Sequence, residues 1–181
     1  MIATLKKLTW DDIKDWPEYH GRTEIVDGEL VMSPVPSDRH QEICLWLGVE
    51  IGPFVRDHGL GKFWSHPVHV ILDEHVHYEP DMCFLSTDRL YLLQTPHIAG
   101  APDLIIEVIS ESNRSHDTVV KFRDYERYGV REYWLVDQRE RHIRVYCLEE
   151  GRYVLLGAFG PGDTVATRVL EGLALDPARI F

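Results

Sequence analysis

The sequence is short of cysteine, of positive charge and of long apolar runs, and each shortage excludes something. Only Cys44, Cys83 and Cys147 are cysteines among 181 residues. They form no C-x-x-C pair and no even-numbered set, which argues against a disulfide-stapled secreted fold and suits a reducing, cytoplasmic setting. No apolar run approaches the ~20 residues that cross a bilayer. The start, Met-Ile-Ala-Thr-Leu-Lys-Lys, lacks the apolar segment of a signal peptide. No membrane partner is therefore expected. Lys and Arg number 19 against 30 Asp and Glu, a formal net charge of −11. That weighs against broad, non-specific nucleic-acid binding, which draws on a basic surface. It leaves room for a local basic groove, since Lys121, Arg123, Arg127, Arg131, Arg139, Arg141 and Arg144 cluster in the second half. There is no G-x-G-x-x-G, no P-loop and no G-x-S-x-G elbow. No cysteine has a histidine beside it that would mark a nucleophile.

What is present fits one globular domain, residues 1–181, with a hydrophobic content of 44% and a charged content of 27%. Thr9-Trp-Asp-Asp12 reads as a helix start that Pro17 ends or bends. Thr23 to Met32 alternates around Asp27-Gly28, a tight-turn hairpin signal. A long helix is expected from about Ser37 to about His58, with Ile43, Leu47, Ile51 and Phe54 or Val55 as its buried stripe and Pro53 as a kink or early stop. Leu60 to Ser65, Val68 to Leu72 and Asp81 to Leu85 read as a strand meander. One helical turn is expected at Arg89 to Leu93. A second helix is expected over Arg114 to Tyr128, with Gly129 as its stop. Glu132 to Asp137, His142 to Leu148 and Tyr153 to Ala158 are further strands. The order predicts an α/β fold, a mixed sheet flanked by helices with an N-terminal hairpin.

The chain centres on Ala101-Pro-Asp-Leu-Ile-Ile-Glu-Val-Ile-Ser110, an apolar, β-branched run that reads as a strand covered on both faces. Glu107 breaks it, and a lone buried carboxylate is costly unless compensated. Asp81, after Pro80, opens another apolar strand. If the two strands are neighbours, Asp81, Glu107 and the Val108 carbonyl form a partial oxygen cage for Mg2+ or Mn2+. The alternative is a capping acid and a structural ion pair, and spacing alone leaves both open. Asp103 lies four residues before Glu107, ~13 Å along a strand, too far to share an ion, and is expected to cap the strand entrance. Ile109 stands where a strand lysine would be wanted, so the nearest downstream lysine is Lys121. It either reaches back over the strand or pairs with Asp117 at i,i+4.

An ordered array carries a resemblance. Glu24-Ile-Val-Asp-Gly-Glu-Leu, His40, Pro80-Asp81, Pro102-Asp-Leu-Ile-Ile-Glu-Val-Ile-Ser110, Asp117…Lys121…Tyr125 and Gly129-Val-Arg-Glu-Tyr-Trp-Leu-Val-Asp137 together resemble the Uma2 family, itself similar to the PD-(D/E)XK restriction-endonuclease-like nucleases. The likeness spans about Thr9 to Leu148. It implies that Asp81 and Glu107 ligate metal, that Lys121 is the motif lysine moved onto the following helix, and that Glu24 and His40 support the site. By themselves Glu24 reads as a solvent-facing strand residue, and His40 as either a phosphate donor or a histidine fixed to a carbonyl.

Three functions remain in view. One is a Mg2+-dependent endonuclease acting on nucleic acid, expected to be DNA, and plausibly homodimeric. The second is a catalytically silent binding or assembly module on the same fold. The third is a metal-dependent hydrolase of small phosphorylated molecules. His75-Val-His77 does not match a cupin-type metal site, and the histidines from His66 to His77 are expected to be exposed on a hairpin. Tyr133-Trp134 is expected in the core.

Overall fold

The structure is a computed structural model and describes residues 6–16, 21–110 and 114–181. Pro17 lies outside the described residues. A short helix α1 (Trp10–Ile13) starts where the Asp12 carboxylate accepts the Thr9 N–H at 3.0 Å. The hairpin β1 (Arg22–Val26) and β2 (Glu29–Ser33) turns at Asp27 and Gly28, both with positive φ (51° and 87°). Two positive φ values make the type I′ turn that matches strand twist. A side chain at Gly28 would also strike Lys7, 2.6 Å from an added Cβ.

Helix α2 (Asp38–Asp57) is capped by Ser37 and runs through Pro53, so the proline does not end it. Ile43, Leu47, Ile51 and Val55 are its buried stripe. Next come β3 (Gly61–Trp64), β4 (His69–Asp73), β5 (Val76–Tyr78) and β6 (Met82–Ser86). A 3-10 turn over Thr87–Leu92 leads to β7 (Leu93–Gln94) and β8 (His97–Ala99), and then to β9 (Leu104–Ile109). The expected second helix is in part a π turn, His116–Lys121, that passes into α3 (Phe122–Tyr128) and stops at Gly129 with φ 87°. The chain closes with β10 (Glu132–Asp137), β11 (His142–Glu149), β12 (Arg152–Phe159) and a 3-10 turn, Pro177–Arg179. No helix among the described residues is long and apolar enough to cross a membrane.

Two mixed six-stranded sheets form, β12-β11-β10-β9-β6-β3 and β2-β1-β5-β4-β8-β7. The expected meander is therefore corrected. β3 pairs directly with β6, while β4 joins β5 and β8 in the other sheet. Pro67, which has no N–H to give to a ladder, lies in the link where the chain leaves one sheet for the other. β9 is buried along its whole length, as its composition predicts. Its alternation splits the core. Leu104, Ile106 and Val108 pack with the stripe of α2 and the C-terminal segment, whereas Ile105 and Ile109 pack with Tyr125, Tyr133 and the second sheet. Trp134 and Tyr133 are both fully buried, on opposite faces.

One buried acid has a purely architectural setting. Glu132 accepts the Trp134 indole N–H (2.6 Å), the Thr167 hydroxyl (2.6 Å) and the backbone N–H groups of Arg168 (2.8 Å) and Val169 (3.2 Å). It thus ties the C-terminal segment, with Val165 and Leu170, to the sheet. Glu132→Leu orphans all of these donors and should lower stability by about 3 kcal/mol or more in urea unfolding.

Candidate active site

The acid pair is assembled by strand pairing. β6 and β9 run antiparallel with Met82 opposite Ile106, so Asp81 and Glu107 meet one step beyond. The Asp81 N–H donates to Glu107 Oε2 at 3.3 Å, and the Val108 N–H donates to Asp81 Oδ2 at 2.7 Å. Both carboxylates are buried. Val108 lines the cleft above them, and its N–H holds Asp81 in place.

Lys121 is 2% exposed and reaches back over the strand. Its Nζ lies 2.9 Å from Glu107 Oε1, 2.9 Å from Glu24 Oε1 and 3.7 Å from Asp117 Oδ1. Both sequence readings of Lys121 therefore hold at once. Tyr125, one turn further along, donates its hydroxyl to Glu107 Oε1 at 3.0 Å. Glu24 is 1% exposed rather than solvent-facing, its carboxylate held against Lys121. It also meets His116 Nε2 at 2.8 Å. His40 is buried too, with Nε2 3.2 Å from Asp81 Oδ2. All five side chains singled out in the sequence thus converge. Asp103 stays apart. It accepts Ser86 N and Oγ at 2.8 Å each and pairs with Arg89 and Arg131, closing the strand entrance.

Several members carry no clear sequence signal. Arg22 is the main one. Its guanidinium donates to Asp81 Oδ1 in a very short contact and lies 3.7 Å from Glu107 Oε2. The available hint was the alternation that puts Arg22 and Glu24 on one face of β1. Cys44 contradicts the expectation of no nearby histidine, since its Sγ lies 3.6 Å from His40 Nδ1, one helical turn away on α2. Burial nevertheless pushes the Cys44 thiol up, and the Asp81 charge adds to this, so it is not an activated thiolate.

Burial acts against every charge here, and neighbours decide the outcome. For Glu24, burial is outweighed by the Lys121 charge and by hydrogen bonds from His116 and Lys121, which hold it down at about 2. For Asp81, burial is outweighed by Arg22 and His40, and the carboxyl lies below the usual range. For Glu107, burial and the Asp81 charge prevail over Lys121 and Arg22, and the carboxyl is raised. Two acids this close share their titration. Burial likewise raises Asp117 well above its usual range.

The cleft over the pair has a volume of about 630 Å³, with Arg22, Arg114 and Arg139 among its walls. A basic lining therefore exists despite the acidic chain.

A family model described as "Putative restriction endonuclease" matches residues 10–178. The chain belongs to the Uma2 family. A crystal structure from Anabaena variabilis, titled a putative nuclease belonging to DUF820, superposes with a TM-score of 0.80 at 20% identity, covering 96% of this chain and 97% of that one. That likeness shows a shared fold. No curated protein matches the sequence. The Uma2 match extends past Leu148, where the sequence resemblance stopped, into the segment that Glu132 anchors.

Proposed function

We propose that this Uma2 protein is a divalent-metal-dependent endonuclease that hydrolyses phosphodiester bonds of nucleic acid, with DNA as the expected substrate. One observation carries the reading. Two buried carboxylates, Asp81 and Glu107, share a single cation, the Arg22 guanidinium, at the floor of an arginine-lined cleft. Both carboxylates thus present an oxygen to one cation, and hard oxygens are the ligands that Mg2+ or Mn2+ prefers.

Asp81 and Glu107 would hold the ion, with the Val108 carbonyl as a further oxygen donor. When bound, such an ion polarises a phosphate oxygen and acidifies a water. The chain's own groups do the rest. Lys121, clamped by Glu24 and Glu107, places fixed positive charge where negative charge grows during phosphoryl transfer. His40 Nε2 fixes the orientation of Asp81. Tyr125 fixes Glu107 from the other side. Arg114 and Arg139 at the mouth engage the backbone phosphates, which carry most of the affinity of such complexes.

Asp81→Asn and Glu107→Gln should each lower cleavage of supercoiled plasmid in Mg2+ or Mn2+ by at least ~10²-fold, the scale of losing one electrostatic stabiliser. Parental rates in both variants would sink the mechanism. The second reading, a silent binding module, draws on the same Arg22 contact, which balances the pair without any ion. Calorimetry separates them, because a silent module takes up no Mn2+ that depends on Glu107.

A further inference from the structure

The expected histidine hairpin forms from β4 and β5 and His66 is exposed, but His77 is not. His77 is 1% exposed on β5, and His69 lies beside it on the neighbouring strand β4. We propose that His69, His77 and Glu79 form a binding site for one transition-metal ion of the Zn2+ class, separate from the Asp81–Glu107 pair.

The geometry carries the proposal. His69 Nδ1 lies 3.1 Å from His77 Nε2 and 3.6 Å from Glu79 Oε1, and one ligand atom from each residue falls within 4.8 Å of the others. Four-coordinate Zn2+, at ~2.0–2.1 Å from nitrogen or oxygen, separates its ligand atoms by ~3.4 Å. The two measured separations bracket that value. Two imidazoles and one carboxylate select a borderline ion of this class rather than Mg2+, which prefers oxygen alone.

His77 turns Nε2 to the cluster, while its other ring nitrogen, Nδ1, is buried without a hydrogen-bond partner among the described residues, so other groups hold the site in shape. Glu79 Oε1 is oriented by the Thr23 N–H at 3.2 Å. Trp10 covers the two imidazoles, with ring centroids 4.5 and 4.9 Å away. The segment bearing Trp10 is pinned there, since Leu8 N donates to Gly28 O at 2.9 Å and Leu8 O meets His75 Nδ1 at 2.9 Å. Beside the three ligands opens a second pocket of about 630 Å³, walled by Trp10, Trp16, Thr23 and Met32. A fourth coordination position facing it would admit water or an anionic small molecule. Among the described residues the site offers three protein ligands, and three with one open position is the arrangement of reactive rather than purely structural zinc.

The site stands back to back with the acid network, because the Glu79 N–H donates to Glu24 Oε1 at 3.1 Å. It does not depend on that network for its ligands. The test is titration of the full, tag-free chain with Co2+, followed by competition with Zn2+. We expect the strong visible bands of four-coordinate Co2+ at one equivalent, erased by Zn2+. The bands should persist in Asp81→Asn and Glu107→Gln, so failure of the nuclease reading leaves this one intact. They should vanish in His69→Ala and in Glu79→Gln, with Zn2+ affinity falling by more than the ~10–100-fold cost of an outer-sphere loss. Glu79→Gln keeps the side-chain volume and decides the matter if His69→Ala folds poorly. Bands that survive Glu79→Gln overturn the proposal, as does a weak six-coordinate spectrum. A thiolate charge-transfer band also overturns it, by placing the ion at His40, Cys44 and Asp81 instead.

Discussion

Lys121→Met is expected to lower stability at pH 7 by about 3–5 kcal/mol, the cost of breaking a buried ion pair from one side, and to reverse the sign of the pH-dependent contribution of Glu24. Lys121 is 2% exposed and lies 2.9 Å from both Glu24 and Glu107, which are themselves 1% exposed. In the parent, Glu24 is held at about 2 against an ordinary 4.5. A depressed carboxylate contributes stability above its unfolded value and loses it as pH falls. Glu24 therefore supports the parent by ~3 kcal/mol above pH 4.5, and that support drains away towards pH 2. Methionine removes the main charge opposing burial, so the folded value of Glu24 rises above 4.5. The sign then changes. A raised carboxylate stabilises most where it is protonated, so lowering the pH from 7 towards 5 should benefit the variant more than the parent, which already carries raised acids at Glu79, Glu107 and Asp117. Urea unfolding at the two pH values measures this. Equal changes in variant and parent over that range would show that Lys121 does not hold Glu24 charged.

The second large effect is expected from Arg22→Gln. Arg22 is the cation that Asp81 and Glu107 share across the mouth of the pair. Asp81 keeps its contact with His40, and Glu107 keeps Lys121 and Tyr125, but the oxygens facing the cleft lose their counter-charge. The metal-free variant should be less stable by about 3 kcal/mol. A divalent ion that replaces the guanidinium should restore much of this. At 100 times its dissociation constant, an ion that binds only the folded form adds ~2.7 kcal/mol. Mn2+ should therefore raise the unfolding temperature of Arg22→Gln more than that of the parent, where the ion must first displace Arg22. Equal responses of the two proteins would mean that the acid pair is a closed structural ion pair. In the same spirit, cleavage by the parent should need a higher Mn2+ concentration for its half-maximal rate than cleavage by Arg22→Gln.

The local chemistry of the chain was legible wherever a residue's role depends on its near neighbours. The Asp27-Gly28 turn, the stripe of α2, the covered run of β9 and the stop at Gly129 each follow from spacing and backbone preference over a few positions. Glu107 stood out because a carboxylate inside an apolar strand needs compensation wherever that strand lies. Family resemblance then joined it to Asp81, Lys121, Glu24 and His40, and the fold brings all of them within reach of one another.

What sequence could not supply was long-range pairing. Arg22 meets Asp81 from 59 positions away and His116 meets Glu24 from 92. No local pattern encodes such contacts, because they exist only once β1 has docked on β5. The same cause hid the histidine cluster. Read as a hairpin, His75 to His77 looks exposed. The hairpin of β4 and β5 does form, but it lies within a second sheet, His77 is buried and Trp10 lies over it. The sequence by itself determined which strands must be buried and which acid must find a cation. The tertiary structure decided which cation that is and that His69, His77 and Glu79 converge behind it. The physical reason is that burial is set by what packs against a strand, and the packing partners here come from remote parts of the chain.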